Sequence, residues 1–314
     1  MRISTNTLYA SGQARITELQ SSLVKTQQQI STGRRILSPA DDPIGASQVL
    51  NLEQGQAMNQ QFATNRINAG NALREQEGVL TGIDELTQDL KVLMVQAGNG
   101  TLDDTQRGYL ATELDSKFDQ LLSLANSKDS MGNYLFSGFQ VGTVPYVKTV
   151  TGASFQGDGG QRMLQVDVSR RVSTSVSGEQ LFEAIDTGTA AAPGTLQDIF
   201  TTLRSWSDAL KSSTATPAAQ AALSNATSAA GNSLDTFLDR VLSARATIGA
   251  QQKEIDALDN AGSARDIEYS QARSVLQDVD YTQAISQFSQ QQTTLEAAMK
   301  SFKSVSQLSL FSLI

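Results

Sequence analysis

The chain has 314 residues, of which 18% are charged and 6% aromatic, and its formal net charge is −8. It contains neither cysteine nor histidine, which excludes disulfides, thiolate metal ligands and mechanisms that need a cysteine nucleophile or a histidine base. The negative charge argues against general binding to nucleic acid or anionic membranes. Carboxylate chemistry, such as an acidic pair or a magnesium site, stays open as an enzymatic alternative.

Long helices are compatible with the composition, because only five prolines occur in the whole chain. The abundance of alanine, serine, threonine and glutamine favours helical layers over a compact enzyme fold. The first twenty residues lack the apolar region and cleavage site of a secretory signal peptide. No run of about 18 apolar residues occurs, so we expect no membrane insertion.

A first helix is predicted from about Thr7 to Ile30, because apolar residues recur there at alternating three- and four-residue steps. They are Ile16, Leu19, Leu23 and Ile30, with Thr26 in the remaining position. Beyond this helix, Ser38 is predicted to cap the start of a second one. Pro39 would lie in its first turn, and Asp41 and Asp42 near its positive end.

The middle of the chain changes its periodicity twice. A long helix is predicted over about Pro43–Gly98, and a third follows a capping box that we assign to Thr101 and Asp104. Alternating apolar residues over about Val141–Gly178 then predict a small β-rich insertion. Helices resume at about Leu196 and continue in a further long segment.

The last helix carries a second series of apolar residues at helical spacing. They are Tyr281, Ile285, Phe288, Leu295, Met299 and Phe302, followed by Leu308, Leu310 and Phe311. Heptads at both ends with a β unit between them predict a chain that folds back on itself. The predicted fold is mainly α, with elongated antiparallel helical rods, paired N- and C-terminal coiled-coil helices and a small β-rich insertion.

Three domains follow from this organisation. Residues 1–40 and 279–314 would form a terminal coiled-coil assembly domain. Residues 41–140 and 180–278 would form a helical rod core, and residues 141–179 the small β-rich insertion domain.

The terminal helices carry few charges for surface helices. The last 34 residues contain only Glu296, Lys300 and Lys303 as charged side chains. Uncharged polar residues cost less to bury than unpaired charges, so we predict that these helices pack among copies of the same chain and become ordered on assembly. The predicted assembly interface comprises Ile16, Leu19, Leu23, Ile30, Ile285, Phe288, Leu295, Met299, Phe302, Leu308, Leu310 and Phe311. An ordinary amphipathic helix remains the alternative interpretation.

Several motifs, taken in order, resemble flagellin-type axial proteins of the bacterial flagellum. They are QISTGRRI (29–36) followed by PADDP (39–43), NRI (65–67), VQAGNGT (95–101), GNYLFSG (132–138), DVDY (278–281) and LEAAM (295–299). The resemblance covers both terminal halves and is weakest across about residues 141–215. The opening MRIST and the closing LSLF resemble the hook–filament junction type more than filament flagellin.

The resemblance implies a structural, non-enzymatic subunit without cofactor. Proteins of this type form a ring that joins the hook, through the other hook-associated junction protein, to the flagellin filament. They are extracellular and leave the cell unfolded through the flagellar type III apparatus, without a cleaved signal peptide. An export chaperone typically holds the C-terminal helix. Filament flagellin itself is the alternative within this class.

The charged motifs are assigned structural roles. Arg34, Arg35, Asp41 and Asp42 are predicted to form an elbow between the terminal and core rods. The Asp103–Asp104 pair lacks the ligand spacing of a calcium loop. No catalytic, cofactor-binding or metal site is predicted, although a carboxylate hydrolase and a cytosolic coiled-coil adaptor remain alternatives from other classes.

Overall fold

The computed structural model describes residues 5–183, 185–186 and 196–311. Its helices are α1 (Thr5–Thr32), α2 (Pro43–Ala97), α3 (Asp104–Ala125), α4 (Gly178–Phe182), α5 (Ile199–Lys211), α6 (Pro217–Gln277) and α7 (Tyr281–Phe311). Its strands are β1 (Tyr146–Lys148), β2 (Ala153–Phe155), β3 (Met163–Asp167), β4 (Arg170–Ser173), β5 (Ile185–Asp186) and β6 (Leu196–Gln197). The predicted mainly helical fold with small β elements is confirmed.

The chain forms two compact units. The first comprises the residues up to Gln60 together with those from Ser263 onwards, and the second comprises Gln61–Gly262. The first unit therefore contains α1, α7 and the adjoining ends of α2 and α6. Because the predicted three-domain division uses other boundaries, it stays a prediction.

The core of the second unit contains an aromatic cluster contributed by helices and strands. Phe182 on α4 is fully buried, and its ring centroid lies 5.2 Å from that of Tyr146, 5.7 Å from that of Phe200 and 5.5 Å from that of Phe237. The amphipathic face of α5 extends this core with Trp206, which is fully buried. The helices and the β elements therefore share one core in this unit.

Polar contacts join α2 and α6 in antiparallel register within the second unit. Arg66 is nearly buried and its Nε lies 2.9 Å from Asp259, while Arg245 binds both Glu77 at 2.9 Å and Asp84 at 2.6 Å. A buried charge is stable only when it is paired. These ion pairs therefore fix which turns of the two helices lie side by side.

The strands form three antiparallel pairs, β1 with β2, β3 with β4, and β5 with β6. The first two pairs fall inside the predicted insertion, whereas the third was missed. Leu196, predicted to begin a helix, instead pairs with Asp186. The helix begins at Ile199, capped by Asp198, whose carboxylate accepts a hydrogen bond from the N–H of Thr201 at 2.7 Å.

The predicted capping box of α3 is displaced by two residues. Asp103, not Thr101, accepts the hydrogen bond from the N–H of Gln106 at 2.7 Å, and the N–H of Asp103 donates to Gln106 Oε1 at 3.1 Å. Among the described helices, none has a stretch both long and apolar enough to cross a bilayer.

Candidate assembly site at the paired terminal helices

The terminal helices α1 and α7 pack antiparallel to each other, as predicted. Near one end, the ring of Tyr9 meets that of Phe302 edge-on at 4.9 Å. A Cβ atom at Gly12 would lie 2.7 Å from the Phe302 ring, so the absence of a side chain at Gly12 permits this close approach. At the other end, the Tyr281 hydroxyl lies close to Gly33.

On α1, the residues that pack against α7 are those of the predicted apolar series, which is called the seam below. Ile16, Leu19, Leu23 and Ile30 are all partly buried. Thr26, the polar residue in the series, is buried and its hydroxyl donates to the carbonyl of Ser22 at 3.1 Å. The hydroxyl thus satisfies its hydrogen bond within the helix, which explains how threonine occupies a seam position.

The α7 side differs from the predicted seam. The residues that face α1 follow four- and three-residue steps and include two alanines and a glutamine; they are Ala284, Phe288, Gln291, Leu295, Ala298 and Phe302. Ile285 is 56% exposed, Met299 42% and Tyr281 52%. The seam prediction is therefore wrong for these three residues and correct for Phe288, Leu295 and Phe302.

Apolar side chains consequently remain on the outer surface of the helix pair. Ile285 and Met299 lie on one face of α7, two heptads apart, and α1 contributes the half-exposed Val24. The side chains of Leu308, Leu310 and Phe311 lie outside the described part of the structure. These side chains are therefore available for contact with another chain.

The turn between α1 and α2, residues 33–42, is called the connector below. Arg35 anchors it to the end of α6, where its N–H donates to the carbonyl of Gln277 at 2.6 Å and its Nη2 to that of Leu276 at 2.9 Å. A cation at the carbonyl end of a helix is electrostatically favourable. Arg34 pairs with Asp278 in an antiparallel bridge.

The two aspartates of the connector hold its other end. The Asp41 carboxylate accepts hydrogen bonds from the N–H groups of Leu37 and Ser38 and lies 2.6 Å from Lys25 Nζ. Asp42 caps α2 by accepting from the N–H of Gly45 at 2.9 Å, and it lies 3.1 Å from Arg35 Nη2. Asp42, not Ser38, is therefore the cap.

These contacts lower the pKa values of both aspartates. The pKa of Asp41 lies below its usual range chiefly because of the hydrogen bond from Lys25. The pKa of Asp42 is lowered first by the N–H of Gly45 and then by Arg35. Both groups therefore stay ionised at neutral pH and keep their bonds.

The connector brings the four predicted elbow residues together, but it also uses residues that the sequence analysis missed. Lys25 lies 16 positions before Asp41, and the Gln29 amide donates to the carbonyl of Arg35 at 2.7 Å. Within the described residues, no group of three or more acidic side chains is placed to hold a metal ion.

Acid is expected to weaken the connector. Because the folded pKa values of Asp41 and Asp42 lie below the ordinary 3.8, their stabilisation is present above that pH and is lost as the pH falls through the folded values. The Asp41→Asn/Asp42→Asn variant should melt below wild type at pH 7, and this difference should shrink near pH 3. Thermal unfolding followed by circular dichroism measures it.

A matched control is Asp239→Asn, at an exposed position on α6 in the other unit. Its melting temperature should stay close to that of wild type at both pH values. A constant difference between wild type and the connector variant across this pH range would contradict the electrostatic account.

Comparison with known proteins shows the family. Residues 3–141 match the bacterial flagellin N-terminal helical region. The chain is 36% identical to flagellar hook-associated protein 3 of Escherichia coli K12, over all of this chain and 99% of that protein. The chain belongs to the flagellar hook-associated protein 3 family. The family member of Salmonella typhimurium is 35% identical, again over all of this chain and 99% of its own length.

A solved structure of the same family has a similar fold. It is the flagellar hook-associated protein 3 of Legionella pneumophila, with a TM-score of 0.68 and 19% identity. The match covers 73% of this chain and 98% of that one. At this identity the likeness concerns the fold alone.

Proposed function

We propose that this chain is a structural subunit of the bacterial flagellum that forms the ring joining the hook to the flagellin filament. The observation that carries the proposal is its end-to-end similarity to flagellar hook-associated protein 3. The terminal helix pair supports the same conclusion, because it leaves Ile285 and Met299 exposed on a sparsely charged helix. The chain acts by assembly and not by catalysis.

The assembly interface between copies comprises the apolar residues of α1 and α7 predicted from the sequence. Within one chain, part of this set is already used for pairing of the two helices. Ile285 and Met299 are free to contact a neighbouring copy, where burial of their apolar surface contributes about 25 cal/mol per Å². Neighbouring side chains such as Ser286 and Gln292 are uncharged and cost little to bury.

Further partners follow from the position in the flagellum. One side of the ring contacts the other hook-associated junction protein, and the opposite side contacts flagellin. The chain leaves the cell through the flagellar type III apparatus without a cleaved signal peptide, with an export chaperone on α7, and works outside the cell. Arg34, Arg35, Asp41 and Asp42 form the elbow between the terminal and core rods.

Deletion of the gene is the test of this function. The expected result is a non-motile cell that bears free hooks and sheds flagellin into the medium, as seen by electron microscopy and by immunoblot of the culture supernatant. Expression of the wild-type chain from a plasmid should restore filaments. Normal filaments in the deletion strain would contradict the proposal.

Filament flagellin is the second candidate, because residues 3–141 match the flagellin N-terminal region. A flagellin would polymerise by itself into long filaments when seeded, whereas a junction subunit would stop after a short assembly. Electron microscopy of the purified, seeded chain separates the two. Long filaments made of this chain alone would favour flagellin.

A further inference from the structure

The loop between α2 and α3, residues 98–103, contains the one Asn–Gly dipeptide of the sequence. Asn99, Gly100 and Thr101 are all exposed to solvent. A Cβ atom built at Gly100 would have no heavy atom beyond its chain neighbours within 4 Å. The side-chain amide carbon of Asn99 therefore lies next to a backbone nitrogen, with no side chain on Gly100 to hinder the approach of the two atoms.

The side-chain carbonyl of Asn99 accepts two hydrogen bonds. The N–H of Thr101 donates to Asn99 Oδ1 at 3.2 Å, and the Thr101 hydroxyl donates to the same oxygen at 2.9 Å. These bonds turn the side chain towards the main chain that follows it. They also place two donors at the oxygen on which negative charge develops when a nucleophile attacks Asn99 Cγ. Such donors lower the barrier, because hydrogen bonds to an ionised acceptor are roughly twice as strong as those to a neutral one.

The backbone nitrogen of Gly100 is free to act as that nucleophile. Its N–H donates to no group among the described residues, whereas the N–H groups of Asn99 and Leu102 donate to the carbonyls of Gln96 and Asn99. Removal of the Gly100 proton therefore breaks no hydrogen bond within the described chain. Because Gly100 is exposed, hydroxide from the solvent can take this proton.

We propose that Asn99 is a site of spontaneous deamidation in the folded chain. The Gly100 nitrogen bonds to Asn99 Cγ while the bond from Cγ to Nδ2 breaks, and Nδ2 leaves as ammonia with the proton that Gly100 has lost. Water then opens the resulting succinimide ring, adding its hydroxyl to a carbonyl carbon and its hydrogen to the nitrogen. Opening at the main-chain carbon gives isoaspartate, and opening at Cγ gives aspartate.

Both products place a negative charge at position 99, two residues after the end of α2. A negative charge near the carbonyl end of a helix is unfavourable, and Asp103 and Asp104 already lie close by in sequence. Isoaspartate also lengthens the main chain of the loop by one carbon atom. We therefore expect the second unit to lose stability as the modification accumulates. This assignment rests on the loop alone and is independent of the role in the flagellum.

Asn126, at the end of α3, provides an internal comparison. Its Nδ2 donates to the carbonyl of Tyr146 at 2.8 Å, and its Oδ1 accepts from the N–H of Tyr146 at 2.9 Å. The N–H of the following residue, Ser127, donates to the carbonyl of Leu124 at 3.1 Å. Both reacting groups are therefore engaged elsewhere, and we expect Asn126 to resist the reaction.

Incubation of the full-length chain at pH 8, followed by tryptic digestion and mass spectrometry, tests the proposal. Cleavage after Lys91 and Arg107 releases residues 92–107, whose aspartate and isoaspartate forms are resolved by liquid chromatography. These forms should accumulate at least as fast in the folded chain as in a synthetic peptide of residues 95–103. Residues 118–128, which contain Asn126, should stay unmodified over the same time.

A pair of variants at the exposed Thr101 tests the role of the two donors. Thr101→Val keeps the shape of the side chain but removes its hydroxyl, and it should slow the reaction in the folded chain at least about threefold. Thr101→Ser keeps the hydroxyl and should retain the wild-type rate. Slower modification in the folded chain than in the peptide, equal modification of Asn126, or an unchanged rate in Thr101→Val would overturn the proposal.

Discussion

Replacing Ile285 and Met299 together by aspartate is expected to abolish incorporation at the hook tip while leaving the isolated chain folded. Both side chains are largely exposed, at 56% and 42%, so the change costs little in the monomer. Between copies, each aspartate would be buried without a partner, which costs several kcal/mol. The amount of chain in purified flagella should therefore fall at least about a hundredfold, as quantified by immunoblot.

The matched control is the Ile285→Leu/Met299→Leu variant, which keeps both side chains apolar and of similar size. It should assemble and support motility. If the aspartate variant assembled normally, this face of α7 would not be an interface. If it instead melted well below wild type, the two residues would support the fold of the monomer.

Replacing Phe182 by alanine is expected to give the largest loss of folding stability. Its ring is fully buried and meets those of Phe136, Tyr146, Phe200 and Phe237 at centroid distances of 5.2–5.7 Å. Truncation of such a ring removes apolar contacts and leaves a cavity, at a cost of about 3–5 kcal/mol. The free energy of unfolding of the second unit should fall by this amount in urea titrations.

Phe139→Ala provides the comparison, because this ring is 65% exposed in the same unit. Its loss should change the free energy of unfolding by less than about 0.5 kcal/mol. Equal effects of the two substitutions would show that the aromatic cluster does not organise this unit.

The sequence predicted the two terminal helices and their pairing, but only part of the face of α7 that turns inward. Phe288, Leu295 and Phe302 lie on this face as predicted. Hydropathy also singles out Ile285 and Met299, whereas Ala284, Gln291 and Ala298 occupy the rest of the buried face. Small residues allow helices to approach closely, as Gly12 does opposite Phe302. The face of α7 that packs against α1 is therefore determined partly by small side chains, which the spacing of apolar residues does not predict.

Helix caps were located to within a few residues but assigned to the wrong side chains. Ser38 and Asp42 are both residue types that favour the N-cap position. The choice between them depends on tertiary contacts, since Arg35 orients Asp42 and Lys25 binds Asp41. Contacts such as that of Lys25, 16 positions away, have no local signal in the sequence.

The third strand pair, β5 with β6, also has no local signal in the sequence. β5 and β6 contain two residues each. Elements this short have no periodicity to detect, and Leu196 was assigned to the apolar stripe of the helix that follows. The longer helix α2 was predicted nearly to its ends, and for α6 the sequence predicted a long helix without bounds.

Cysteine labelling tests most directly whether the outer face of α7 is buried between copies at the junction. The chain contains no cysteine, so Ile285→Cys introduces a single thiol. This thiol should react with a maleimide in the dilute monomer and be protected in purified flagella, and assembly of the variant should be checked by immunoblot. Equal reactivity of Ile285→Cys in monomer and flagella would contradict the account.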